Sequence, residues 1–294
     1  MTLLAANGIE IEYDTFGESS DRVLLMVMGL GAQMVFWDDD FCQQLANTGH
    51  YLIRFDNRDI GLSTKFEHEP VPDMAQLAND LAEGITPHVP YTLDDMADDG
   101  FALLTALDIE KAHICGASMG GMIVQAMAIR NPARVKSITS IMSSSGDPDL
   151  PPASMEAVAA LTKAPPTTRE DAIESSIETL KVIGSPGFPL DEERVKARAA
   201  RSYDRSFYPA GMARQMAAIV AHGNRKPQLC ALELPALVIH GNADPLVPVE
   251  AGKDTHAAIR GSELLLIDGM GHDLPKEAWP QIVAAITGLT TASE

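Results

Sequence analysis

Apolar positions along the chain fall in short runs separated by amphipathic stretches. Residues 9–13 (Ile-Glu-Ile-Glu-Tyr) alternate with a period of two, the pattern of a half-buried strand. Residues 23–28 (Val-Leu-Leu-Met-Val-Met) are continuously apolar, as a strand covered on both faces must be. Residues 51–55 form a similar run and end in a turn. Further strands are predicted at 111–115, 135–142, 236–240 and 263–267. Residues 92–107 read as a helix, apolar at Met96, Leu103, Leu104 and Leu107. Residues 121–130 read as a helix stopped by Asn131-Pro132, and 279–289 as a final helix. Strands alternating with helices imply an α/β protein: a mostly parallel sheet with helices on both faces.

The alternation breaks between 145 and 232. Helical patterns appear near 154–161, 169–183, 191–202 and 211–222, separated by Pro165-Pro166 and Ser185-Pro186-Gly187, and no strand pattern intervenes. The expected organisation is a core of 1–144 and 233–294 with a helical cap, 145–232, inserted between sheet strands. A cap of this kind lies over the strand ends.

Composition narrows the functional classes. The 294 residues are enough for one large domain with an insertion, and 46% hydrophobic with 21% charged is ordinary for a globular protein. A net charge of −19 opposes binding to nucleic acid or to anionic membranes, which need clustered Lys and Arg. No apolar run reaches the length of a membrane span. Residues 1–8 lack the basic and long apolar regions of a signal peptide. Cys42, Cys115 and Cys230 have neither a metal-binding spacing nor an even framework, and read as reduced packing thiols in a cytoplasmic protein. Oligomeric state is not legible.

The chemistry concentrates at Gly116-Ala117-Ser118-Met119-Gly120. A predicted strand precedes it and a predicted helix follows, the context a nucleophile elbow requires. Small neighbours allow the tight turn, and the helix N-terminus favours developing negative charge. A serine hydroxyl needs a base, and the base needs an orienting carboxylate. Of the four downstream histidines, His272 lies on the glycine-flanked loop after the 263–267 strand. His240 reads as a core or turn residue, His256 as a solvated helix residue and His222 as the end of a cap helix. Asp244 follows the 236–240 strand, and Pro245 restricts its backbone. Asp268 and Asp147 are the lesser candidates for the acid. The oxyanion of a tetrahedral intermediate needs two N–H donors, assigned to the backbone of Met119 and of Leu30 in the loop 28–31. Met28, Met34, Phe36, Trp37 and Met142 cluster in sequence around these loops and are candidates for an apolar substrate pocket.

These motifs resemble the α/β-hydrolase superfamily over nearly the whole chain apart from the cap. Met28-Gly29-Leu30-Gly31 stands where that family often has His-Gly. Asp56-Asn57-Arg58-Asp59-Ile60-Gly61-Leu62-Ser63 is similar to the family's Asp-x-Arg-Gly-x-Gly-x-Ser loop, with Asp59 in place of the first Gly. Gly241-Asn242-Ala243-Asp244 and Gly271-His272 match its acid and base loops. Within the superfamily the chain is similar to the aclacinomycin methylesterase type of carboxylic ester hydrolase. The resemblance implies a Ser118–His272–Asp244 triad acting on esters through an acyl-enzyme, with no metal or organic cofactor, and the apolar pocket candidates point to small, uncharged, apolar esters. C–C bond hydrolysis of a diketone, cofactor-free perhydrolysis and non-catalytic ligand binding are the alternatives.

Overall fold

The computed structural model describes residues 2–294. Eight strands form one sheet: β1 (Thr2–Ala6), β2 (Ile9–Phe16), β3 (Arg22–Val27), β4 (His50–Phe55), β5 (Ala112–Ala117), β6 (Val135–Ile141), β7 (Ala236–Gly241) and β8 (Glu263–Ile267). Their order is β1-β2-β4-β3-β5-β6-β7-β8. The β1–β2 and β2–β4 pairs are antiparallel, and every pairing from β4 through β8 is parallel.

Among the described residues eleven α-helices accompany the sheet: α1 (Asp39–Ala46), α2 (Met74–Ala82), α3 (Leu93–Ala106), α4 (Met119–Arg130), α5 (Met155–Leu161), α6 (Arg169–Ile183), α7 (Glu192–Arg205), α8 (Pro209–His222), α9 (Lys226–Leu229), α10 (Val249–Ala258) and α11 (Trp279–Ala292). The apolar runs read as doubly covered strands because successive side chains face opposite sides. In β3, Leu25 and Val27 join the cluster formed with Phe101, Leu104, Ile123 and Met127 of α3 and α4. Leu24 and Met26 point the other way, into the cluster containing Phe41 and Leu45 of α1 and Trp279, Ile282 and Ile286 of α11. Helix α3 starts where Thr92 and Asp95 cap each other's backbone reciprocally.

Between β6 and β7 the chain forms α5 to α9 and no strand. Two buried ion pairs tie this segment to the core. Asp56, fully buried, accepts from Arg205 at 2.9 Å. Asp59, also fully buried, accepts from Arg214 at 2.7 Å and from the Tyr91 hydroxyl at 2.8 Å. Asp59 sits at φ 70°, in the left-handed region that glycine occupies without a Cβ penalty. The Phe66 N–H donates to the same carboxylate at 2.8 Å, and this three-way anchoring holds it there. Removing one partner of such a pair leaves an uncompensated buried charge. Arg214→Met is therefore expected to lower unfolding free energy by about 3–5 kcal/mol, read from denaturant midpoints. A change below about 1 kcal/mol would show that Asp59 finds another partner.

Candidate active site

The carboxyl ends of β3, β5, β7 and β8 share one edge of the parallel sheet, and each of the four site loops leaves from it. The sharpest of these turns joins β5 to α4. Ser118 occupies its apex at φ 56°, ψ −122°, a conformation a side chain adopts only under constraint. The constraint is visible in the packing. A Cβ on Gly116 would fall on the Gly120 carbonyl, and one on Gly120 would fall on the Val27 carbonyl. Backbone bonds complete it: the Ser118 N–H donates to Ile141 O at 2.9 Å, and the Ser143 hydroxyl donates to Ser118 O at 2.8 Å.

The structure brings Ser118, His272 and Asp244 together across 154 residues of chain. Ser118 Oγ lies 3.0 Å from His272 Nε2, and His272 Nδ1 lies 2.7 Å from Asp244 Oδ2. A carboxylate only accepts, so Nδ1 carries the proton and Nε2 is the free acceptor facing the hydroxyl. Asp244 Oδ1 accepts the N–H groups of Leu246 and Val247, both at 2.9 Å. These two amides fix the carboxylate in the turn that Pro245 begins. The His272 backbone N–H donates to Ile183 O at 2.7 Å, and the Gly271 N–H to the Ser185 hydroxyl at 2.9 Å. The β6–β7 segment thus helps to place the His272 loop.

The other histidines and carboxylates lie elsewhere. His240 is fully buried at the end of β7, with its Nε2 donating to Val247 O at 2.8 Å. Burial pushes its pKa down and so disfavours the charged ring, whose Nε2 stands 3.7 Å from Asp244 Oδ2. His256 bonds Ser262, and His222 ends α8. Asp268 accepts from Asn242 and Asp147 pairs with Lys226, so neither reaches His272.

The two residues whose backbone N–H groups are expected to receive the oxyanion, Met119 and Leu30, both adjoin the elbow. Met119 is the first residue of α4, where a helix N–H has no intrahelical acceptor. Leu30 follows Gly29, which packs against the elbow: a Cβ on Gly29 would stand 3.0 Å from Ser118 Cβ. The Leu30 N–H has no acceptor among the described residues.

The candidate pocket residues divide. Met28 and Met142 follow β3 and β6, the strands flanking β5, and both are almost fully buried. Phe36 is half-buried, with the Arg198 guanidinium 4.7 Å above its ring. Met34 is fully buried, and its N–H donates to Asp56 at 2.7 Å. Trp37 is fully buried and stacks on Phe41, whose ring in turn meets Trp279. Those contacts place Trp37 in the packing between α1 and α11. The apolar signal of Trp37 in the sequence was the signal of a core residue.

A cavity of about 500 Å³ opens between the α6–α7 region and the loops after β7 and β8. Ala243 and Pro245, on either side of Asp244, line it, and so does Asp273, next to His272. Ser118 and His272 themselves do not. Arg198 also lines it and makes no ion pair among the described residues. Burial pulls its guanidinium pKa down to about 10. Asp273 accepts from the Ser185 hydroxyl, and burial pushes its carboxyl pKa up. Among the described residues no group of three or more His, Cys, Asp or Glu side chains is placed to hold a metal ion, and no helix is long and apolar enough to cross a membrane.

The family model described as alpha/beta hydrolase fold matches residues 22–278. Rhodomycin D methylesterase DauP of a Streptomyces species is 25% identical, over 99% of this chain and 98% of its own length. The structure of an enol-lactonase from Burkholderia xenovorans superimposes with a TM-score of 0.75 at 22% identity, covering 99% of this chain and all of that one. A meta-cleavage product hydrolase from Pseudomonas fluorescens gives 0.77 at 19% identity, covering 100% and 98%. At these identities the two structures establish the fold alone.

Proposed function

The chain belongs to the α/β-hydrolase-fold family, and from that premise we propose that it is a serine carboxylic ester hydrolase working through an acyl-enzyme. Ser118 Oγ attacks the ester carbonyl while His272 Nε2 takes its proton. Asp244 holds the Nδ1–H tautomer and stabilises the imidazolium that forms. The N–H groups of Met119 and Leu30 receive the oxyanion. The leaving alcohol takes the proton back from His272. Water, deprotonated by the same imidazole, then releases the acid. The observation that carries this reading is the unbroken line of hydrogen bonds from Ser118 through His272 to Asp244, 3.0 Å and then 2.7 Å.

The segment 145–232 is proposed to act as a cap over the strand ends, anchored through Arg205 and Arg214. The substrate is proposed to be a small ester whose scissile group is neutral and apolar on its flanks. Met28, Met142 and the half-buried Phe36 support this. The methylesterase name of the DauP relative supports an ester carbonyl as the point of attack. Free Cys42 and Cys115, buried in the core, support a cytoplasmic location.

One observation favours a second substrate reading. Arg198 brings an unpaired positive charge into the cavity beside the Asp244 and His272 loops, and an ester with a distal carboxylate would pair with it. p-Nitrophenyl esters of equal chain length, with a methyl or a carboxylate terminus, decide between the two. The neutral ester is expected to have at least a tenfold higher kcat/KM, about 1.4 kcal/mol of discrimination. A preference for the carboxylate that vanishes in Arg198→Gln would establish the second reading. Esters and vinylogous diketones assayed side by side separate ester hydrolysis from C–C hydrolysis.

A further inference from the structure

Helix α8 does more than join the β6–β7 segment to the core. It lies directly on the turn that carries Leu30. Gln215, fully buried on α8, accepts the Gly31 N–H through Oε1 at 2.9 Å. Its Nε2 donates to the Arg58 carbonyl, also at 2.9 Å. The one side chain therefore bridges the 28–31 turn and the 56–63 loop. Packing around it is close. Gly31 sits at φ 67°, and a Cβ there would meet Met212 Cγ of α8 at 3.0 Å. A Cβ on Gly211 would fall on the Asp59 carbonyl.

The consequence follows from peptide planarity. The Leu30 N–H shares a rigid unit with the Gly29 carbonyl, and the Ala32 N–H holds that carbonyl at 3.2 Å. The next unit, Leu30–Gly31, is held by Gln215. Two successive planes are thus pinned, one of them from α8. With both in place, the Leu30 N–H has no acceptor among the described residues and is fixed beside the serine elbow.

We propose that Gln215 is a positioning residue for the oxyanion site: the seating of α8 on the 28–31 turn aims the Leu30 N–H. This rests on the acyl-transfer reading above. Loss of the Gln215 bridge frees the Leu30–Gly31 plane, and the donor no longer meets the developing charge. A donor engaged only as charge develops acts on kcat and leaves substrate binding alone.

The test uses the full chain, p-nitrophenyl butyrate and a trifluoromethyl ketone, which adds to a serine as a tetrahedral oxyanion. Gln215→Met has nearly the same volume and neither hydrogen bond. It is expected to lower kcat by about 10- to 100-fold with KM within about twofold, less than the full loss of an oxyanion donor. The inhibition constant of the ketone should rise by a similar factor, while that of the uncharged, non-reactive alcohol analogue stays put. Gln215→Asn, too short to reach Gly31, should show the same split, and serves if the Met variant fails to fold. Unchanged kcat, a loss shared by KM, or unaltered ketone inhibition in a folded variant overturns the proposal and leaves the acyl-transfer reading standing. If the wild type turns over no ester and its Ser118 does not add to the ketone, the acyl-transfer reading falls first and the proposal with it.

Discussion

Ser118→Ala is expected to lower ester turnover by at least about 10⁴-fold while leaving the fold in place. The variant removes one oxygen and nothing that shapes the turn. The backbone bonds of Ser118 to Ile141 and Ser143 do not use the hydroxyl. Alanine meets the same φ of 56° that serine does, so the strain of the turn is carried over. His272 then faces an empty position 3.0 Å away and has no nucleophile to deprotonate. Whatever activity remains comes from the oxyanion donors and from binding. Turnover within tenfold of the wild type, at an unchanged unfolding midpoint, would mean that another group attacks the carbonyl.

Asp244→Asn is expected to cost about 10⁴-fold in kcat, although it preserves the shape of the loop. The retained carbonyl oxygen still accepts from Leu246 and Val247, so the side chain stays oriented. The amide nitrogen then occupies the position 2.7 Å from His272 Nδ1. An N–H pointed at Nδ1 selects the tautomer that carries its proton on Nε2, and that nitrogen can no longer accept from Ser118. His240 cannot substitute for the lost carboxylate: it carries no negative charge in either protonation state, and its Nε2–H is committed to Val247 O. Steady-state kcat near neutral pH measures the loss. A decrease of tenfold or less would show that Asp244 supports the loop and has no part in the proton transfer.

The sheet was legible in the sequence because its central strands are covered on both faces. Continuous apolar runs at 23–28 and 236–239 are too short for buried helices, and they appear in β3 and β7. The antiparallel edge was not: β1 (Thr2–Ala6) is largely exposed and has no alternation to betray it. Helix α1 escaped notice because its apolar positions Phe41, Cys42 and Leu45 are embedded among Asp39, Asp40 and two glutamines. Of the helices between β6 and β7, α5 to α8 were visible from proline and glycine breaks, with ends displaced by only a few residues; α7 runs on to Arg205, past the 191–202 reading, and the single-turn α9 left no periodic signal.

The positions of Ser118, Asp244 and His272 were legible because each stands at a strand end within a glycine-bearing turn. What supports them was not. The Leu246 and Val247 amides, the Ile183 carbonyl and the Gln215 side chain act through geometry that no local pattern encodes. Gln215 lies 184 residues from the glycine it holds. Trp37 shows the opposite failure: proximity in sequence to the site loops placed it in the pocket, while its size and apolar body place it in the core against Phe41.

The most direct measurement is fluorophosphonate labelling of the intact wild-type chain, followed by peptide mapping, with His272→Ala alongside. The account predicts one adduct, on Ser118, formed far more slowly in the His272 variant. A folded wild type that stays unlabelled, or that carries its adduct on another residue, would contradict it.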